Sequence, residues 1–148
     1  MKKNFFIKIF SIYLLLTFAG MAIQSNYFEK GIKLFQKKKF NESKILFERD
    51  LVFNPKNEKS YLYLAKIFDE RDDDDELEIN LKNVLLLNPQ NDEAIYMLTL
   101  LKIQQSDYDQ AKELIDRFTL ICKSFCSKKN EIQEKFEKLI PENAKADN

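Results

Sequence analysis

Two Asn-Pro pairs, Asn54-Pro55 and Asn88-Pro89, stand 34 residues apart, each closing one apolar run and preceding another. Proline lacks a backbone donor and collides with the preceding helical turn, so each pair ends a helix, and the ends recur at a fixed interval. A period of this length marks a stack of helix pairs, none of which can bury its apolar face alone. The expected fold is therefore all-α and built by repetition.

On one register, with units at 24–57, 58–91 and 92–123, like residues fall together. The fourth position of each unit holds Tyr27, Tyr61 and Ile95, and the eighth holds the small residues Gly31, Ala65 and Thr99. Small side chains there let two helices approach closely, and large apolar ones fill the space beside them. In the second halves Phe40 matches Tyr108, Ser43 matches Ala111, and Phe47, Leu81 and Ile115 correspond. Leu51 and Leu85 follow, then Phe53 and Leu87 just before the Asn-Pro pairs.

The phrases YFEKGIKLF…KKFNESKILFERDLVFNP, YLYLAKIF…NVLLLNP and IYMLTLL…DYDQAKELIDRF carry this pattern. With them, the stretch from Tyr27 to Ile121 resembles the tetratricopeptide repeat (TPR) family. The resemblance implies about three TPR-like units stacked as a short right-handed solenoid. The sequence departs from the family pattern at Lys30, where the family prefers Leu, and at Asp50 and Leu77, where it prefers Ala; Lys123 replaces the third closing Pro.

In such repeats the first helices line the concave face, with positions two, five, nine and twelve pointing inward. Here those are Ser25, Phe28, Ile32 and Phe35, then Lys59, Leu62, Lys66 and Asp69, then Glu93, Tyr96, Leu100 and Ile103. The candidate partner-binding residues are accordingly Phe28, Ile32, Phe35, Leu62, Lys66, Tyr96, Leu100 and Ile103. Chaperone-binding members of the family clamp a carboxylate with Lys, Asn and Arg. This chain has Phe28, Ile32, Glu93 and Met97 in those places, so that activity is not implied. The groove is expected to be apolar at both ends and charged in the middle, which suits an amphipathic helix or an extended apolar peptide of a protein partner. The other reading covers these side chains with the protein's own segments or with a second copy. The chain would then be a structural subunit that self-associates or packs into a larger envelope complex.

Residues 1–22 read as a targeting segment. Lys2, Lys3 and Lys8 precede an uncharged, mostly apolar run over 9–23, too short for the ~20 residues of an ordinary spanning helix. Gly20-Met21-Ala22 offers a small-x-small cleavage pattern; the alternative is an uncleaved anchor lengthened by Phe5, Phe6 and Ile7. Either way the repeats are expected to be exported, to a periplasm or cell envelope. The whole chain balances 24 basic against 24 acidic residues, and loss of the leader's three lysines leaves a net of −3, which gives no electrostatic case for nucleic acid. The basic run Lys37 to Lys39 falls in a turn. With no histidine, no Gly-rich phosphate loop and no nucleophile motif, the sequence points to no enzyme, and it implies no cofactor or metal.

Helices are expected at about 26–37, 41–53 (capped by Asn41), 58–70, 75–87, 92–104 and, capped by Asp107, up to about 122. The acidic run from Asp69 to Glu76, with Asp72 to Glu76 at its heart, lacks the glycine and ligand alternation of a calcium loop. It reads as a solvated turn feeding the fourth helix. Residues 128–140 form one more amphipathic segment, with Ile132, Phe136, Leu139 and Ile140 on one face, suited to cap the open end of the stack. Residues 141–148 read as a disordered tail. Cys122 and Cys126, spaced C-x3-C, are either a disulfide of an exported protein or two separate thiols, and a bridge at that spacing requires a turn.

Overall fold

The computed structural model describes residues 26–139. The expectations for the leader, for Ser25, for Ile140 and for the tail lie outside the described residues. Among the described residues there are seven α-helices: α1 Tyr27–Gln36, α2 Phe40–Phe53, α3 Glu58–Asp69, α4 Asp74–Leu87, α5 Asp92–Gln104, α6 Tyr108–Ile121 and α7 Lys129–Leu139, the last preceded by a 3-10 turn Cys126–Lys128. They pack as the pairs α1/α2, α3/α4 and α5/α6; α2 lies against α3, α4 against α5, and α7 closes the end on α5 and α6.

Each pair is set by a size match at one crossing. Gly31 faces Phe47, and a Cβ added at Gly31 would lie 2.7 Å from the Phe47 ring, inside any tolerable contact. The equivalent pairs are Ala65 with Leu81 and Thr99 with Ile115, so the smallest member, Gly31, meets the largest, Phe47. Thr99 and Ser43, both fully buried, satisfy their hydroxyls on backbone carbonyls, Thr99 on Ile95 at 2.7 Å and Ser43 on Gly31 at 2.9 Å. The seam between the first pair and α3 is also rich in rings: Phe47 and Tyr63 stack at 5.0 Å, and Phe35 meets Tyr63 edge-on at 5.1 Å.

The turns inside the pairs repeat as faithfully as the helices. Lys38, Asp72 and Ser106, spaced at the same 34-residue period, adopt left-handed backbone (φ 56°, 54° and 60°). Around each, one N–H reaches back five residues and another three, as in Lys39 to Leu34 and Lys38 to Phe35. This is the Schellman closure, which satisfies the last carbonyls of a helix and is usually built on Gly. Asp73 and Asp107 then cap the following helices, accepting from the backbone N–H groups of Glu76 (3.3 Å) and Gln110 (3.2 Å). The acidic run is thus a closure, a cap and the first turn of α4, where negative charge suits the helix dipole.

Three boundary expectations are corrected. Helix α2 starts at Phe40, because that ring packs edge-on against Phe35 at 5.4 Å and draws its backbone into the first turn. Asn41 is therefore no cap; its side chain accepts a hydrogen bond from Arg71 of the next pair. Helix α4 begins at Asp74, one residue earlier than expected, because Asp73 is its cap and accepts from the Glu76 N–H. In α7 only Ile132 and Phe136 are buried, while Leu139 is 52 % exposed and belongs to no core. Where α6 ends, Cys122 turns to extended backbone and is bonded to Cys126, whose Cα lies 5.1 Å away across the break.

Candidate groove between the first helices and the capping helix

The eight expected concave residues do not form one continuous surface. On α1, Phe28, Ile32 and Phe35 are half-buried and pack against the first core, Phe28 with its ring 5.8 Å from Phe47 and 5.9 Å from Tyr63. Leu62 of α3 is buried in the same core and offers a partner nothing. Lys66, one turn on, pairs with Glu93 of α5 at 2.7 Å and lies over the Tyr63 ring. This ion pair is the charged middle of the concave side, and it ties the second repeat to the third.

The third-repeat residues enclose a hollow. Lys66, Met97, Leu100, Phe125 and Leu139 are among the residues that line a groove of about 650 Å³, floored in part by the buried Ile103 and Leu77. Helix α7 forms its far wall, fixed by a polar knot at its first turn. The Tyr96 hydroxyl donates to Glu131 at 2.9 Å, and Lys128 reaches the same carboxylate at 2.7 Å, with Lys135 at 3.3 Å. Lys128, Tyr96 and Lys135 together hold the Glu131 carboxyl down to about 2. Burial, and then the hydrogen bond to Glu131, raise the Tyr96 hydroxyl, so it stays a donor at any ordinary pH. The Tyr96 ring also packs against Phe125 at 5.8 Å. The Tyr96 hydroxyl is therefore spent on holding α7, and Leu100 and the rim residue Leu139 are the groove-facing side chains nearest to free use.

Asp69, at the end of α3, supplies the groove's unbalanced charge. Burial, then the neighbouring charges of Glu70, Asp72 and Asp74, raise its carboxyl above the usual range. Lys66 and Lys135 line the same groove, but both are engaged by Glu93 and Glu131.

The turn into the cap is held by a device the sequence did not announce. One carboxylate oxygen of Asp92, in the first turn of α5, accepts from the backbone N–H groups of Lys123 (2.7 Å), Ser124 (2.6 Å) and Phe125 (2.9 Å). Burial pushes the Asp92 carboxyl up, but those three donors with that of Glu93 outweigh it and leave it below the ordinary value. Glu58, the residue matching Asp92 one repeat earlier, instead accepts from the Asn88 side chain at 3.1 Å. Lys102 is another residue that periodicity hides: although 95 % buried, it pairs with Glu78 of α4 at 2.7 Å, and the bonds from Lys102 and Lys82 hold Glu78 low.

A wider hollow of about 870 Å³ opens at the other end, between Asn26, Phe28, Phe53 and Pro55. Its polar floor is Asp50, whose carboxylate is already bonded to Asn54 (3.0 Å), Asn57 (2.6 Å) and Ser60 (2.6 Å), and so has little left for a ligand. Among the described residues no cluster of His, Cys, Asp or Glu is arranged as a metal cage.

No protein-family model matches the chain, and no curated protein matches it. Solved structures do. The first TPR of Spaghetti (RPAP3), bound to the HSP90 peptide SRMEEVD, superposes with a TM-score of 0.68 at 18 % identity, over 76 % of this chain and 90 % of that one. The Sgt2 TPR domain from Aspergillus fumigatus gives 0.65 at 15 % identity, over 80 % and 82 %. Likeness at these identities fixes the architecture: the chain has the tetratricopeptide repeat fold.

Proposed function

We propose that this chain, a TPR stack with its own end cap, is a non-enzymatic scaffold that binds one segment of a partner protein in the groove between α3, α5 and α7. The observation that supports the reading is the groove itself. Met97, Leu100 and Leu139 provide apolar contact, and Asp69 provides a negative charge that no basic neighbour in the groove neutralises. Such a lining suits an amphipathic helix or extended peptide that buries aliphatic side chains and places a Lys or Arg beside Asp69. The peptide held by the Spaghetti domain is a precedent for a TPR fold used this way, although this chain lacks the family's carboxylate-clamping residues. Residues 1–22 would deliver the scaffold across a membrane, so that the partner belongs to the periplasm or cell envelope.

Photo-crosslinking from position 139 tests this. With a photoreactive side chain replacing Leu139, a single partner band should form, and it should vanish when Leu100→Asp is added to a chain that keeps its helical circular dichroism. A probe at Glu134, exposed on another face of α7, should give no such band. Equal bands from both positions, or bands of the chain with itself alone, would move the structural-subunit reading ahead.

A further inference from the structure

Val52, Leu86 and Leu120 occupy the same register position in the three repeats, and they are 76 %, 80 % and 84 % exposed. The next residues widen this row in the first two repeats, with Phe53 and Leu87 also exposed, while Ile121 packs against the second core. Isolated exposed aliphatics need no explanation, but a row repeated with the period of the fold is a surface. It lies in the last turns of α2, α4 and α6. Those turns share one edge of the stack with the first turns of α1, α3 and α5, as the contacts of Phe53 with Tyr27, Asn88 with Glu58 and Lys123 with Asp92 show.

The same edge is where the N-terminal segment, outside the described residues, joins at Asn26. Asn26 leads directly into Tyr27, whose ring stacks on Phe53 at 5.8 Å, and the residues before it include the uncharged run 9–23. Basic side chains flank the row: exposed Arg49 one turn before it, exposed Lys56 and Lys123 just beyond it. Of the nearby acids, Asp50, Glu58 and Asp92 are spent on hydrogen bonds and Glu48 is paired with Lys44, while exposed Asp116 lies one turn before Leu120. Aliphatic tips bordered by Lys and Arg match the boundary between acyl chains and headgroup phosphates.

We infer that the chain, with residues 1–22 retained in a bilayer, rests this edge on the lipid surface, with Val52, Leu86 and Leu120 in the interface and the α3/α5/α7 groove left accessible. The surface adds a membrane orientation to the scaffold reading and does not depend on what the groove binds.

The chain contains no tryptophan, so single reporters are available. Leu120→Trp sits in the row furthest along the chain from the leader, and Gln110→Trp, exposed at the opposite end of α6, is the control. The full chain is reconstituted in phosphatidylethanolamine–phosphatidylglycerol vesicles, with and without brominated acyl chains. Leu120→Trp should emit to the blue of its value in detergent-free buffer and lose intensity with brominated lipid, while Gln110→Trp keeps its solvent-like emission and is not quenched. Unquenched, solvent-like emission from Leu120→Trp in carbonate-resistant vesicles would overturn the inference, as would equal quenching of both reporters or release of the chain by carbonate. A blue shift that grows with protein concentration and ignores lipid would assign the row to a second copy, which also overturns it. Crosslinking from position 139 reads the groove separately, so the two proposals fail independently.

Discussion

The junction between the first and second repeats and that between the second and third use the same backbone and opposite chemistry. Asp50 and Val84 hold one register position, and both are buried. At the first junction Asn54, Asn57 and Ser60 all donate to the Asp50 carboxylate. At the second, Asn88 and Asn91 repeat the two asparagines but turn elsewhere, Asn88 to Glu58 and Asn91 to the N–H of Ala94, and Ala94 stands where Ser60 stood. The hydroxyl is present only where the carboxylate needs it. A repeat position therefore specifies a volume and a location, while its polarity is decided by the set of neighbours that changes with it.

The comparison breaks most severely when polarity is moved without its partners. Val84→Asp buries a charge that has only Ala94 where Ser60 would be, and should cost about 4 kcal/mol or more, enough to abolish cooperative urea unfolding in a domain of this size. Asp50→Val makes the reverse move and orphans Ser60 and Asn57, for about 2–4 kcal/mol; adding Ser60→Ala should recover roughly half of that, and simple additivity in denaturant titrations would contradict the network. Gly31→Ala should cost about 1–3 kcal/mol, because the fully buried Phe47 ring cannot retreat from a Cβ at 2.7 Å.

Acid should separate the cap from the repeats. Glu131 titrates near 2 in the folded state, below its ordinary value of 4.5, so the stability it lends to α7 is complete above that value and is lost as pH falls toward 2. Because the carboxylate is partly exposed, salt should weaken the effect. Amide exchange in α7 is expected to rise between those pH values before that of α3 and α4, and Glu131→Gln should abolish the difference. The smallest effect is stabilising: Lys38→Gly relieves a left-handed lysine and should gain about 0.5–1 kcal/mol in thermal or denaturant unfolding.

Much of this fold was legible because the 34-residue period reports on helix ends, and Pro55, Pro89 and the small positions Gly31, Ala65 and Thr99 state where backbones must stop or touch. Asp107 was legible as a cap, since a cap acts within three residues of itself. The left-handed closures at Lys38, Asp72 and Ser106 were not, because none carries the glycine that signals such a turn. Asp50 stood out as a charge in an apolar place, but its meaning lay in Asn57 and Ser60 on the following turn and helix. The candidate site was read less well than the fold. Register put Leu62 on the concave face, where packing buries it; Ile103 and Tyr96 do line the groove, Ile103 as part of its buried floor and Tyr96 with its hydroxyl engaged by Glu131. Leu139 was assigned to the cap's buried face and instead stands at the groove rim, a position set by how α7 docks rather than by its own periodicity.

The most direct test of the scaffold reading is amide hydrogen exchange of the full chain with and without the partner captured from position 139. The groove account expects slower exchange along α5 from Tyr96 to Ile103 and along α7 toward Leu139, with the ends of α2, α4 and α6 unchanged. Protection confined to the row of Val52, Leu86 and Leu120, with none in α5 or α7, would contradict it.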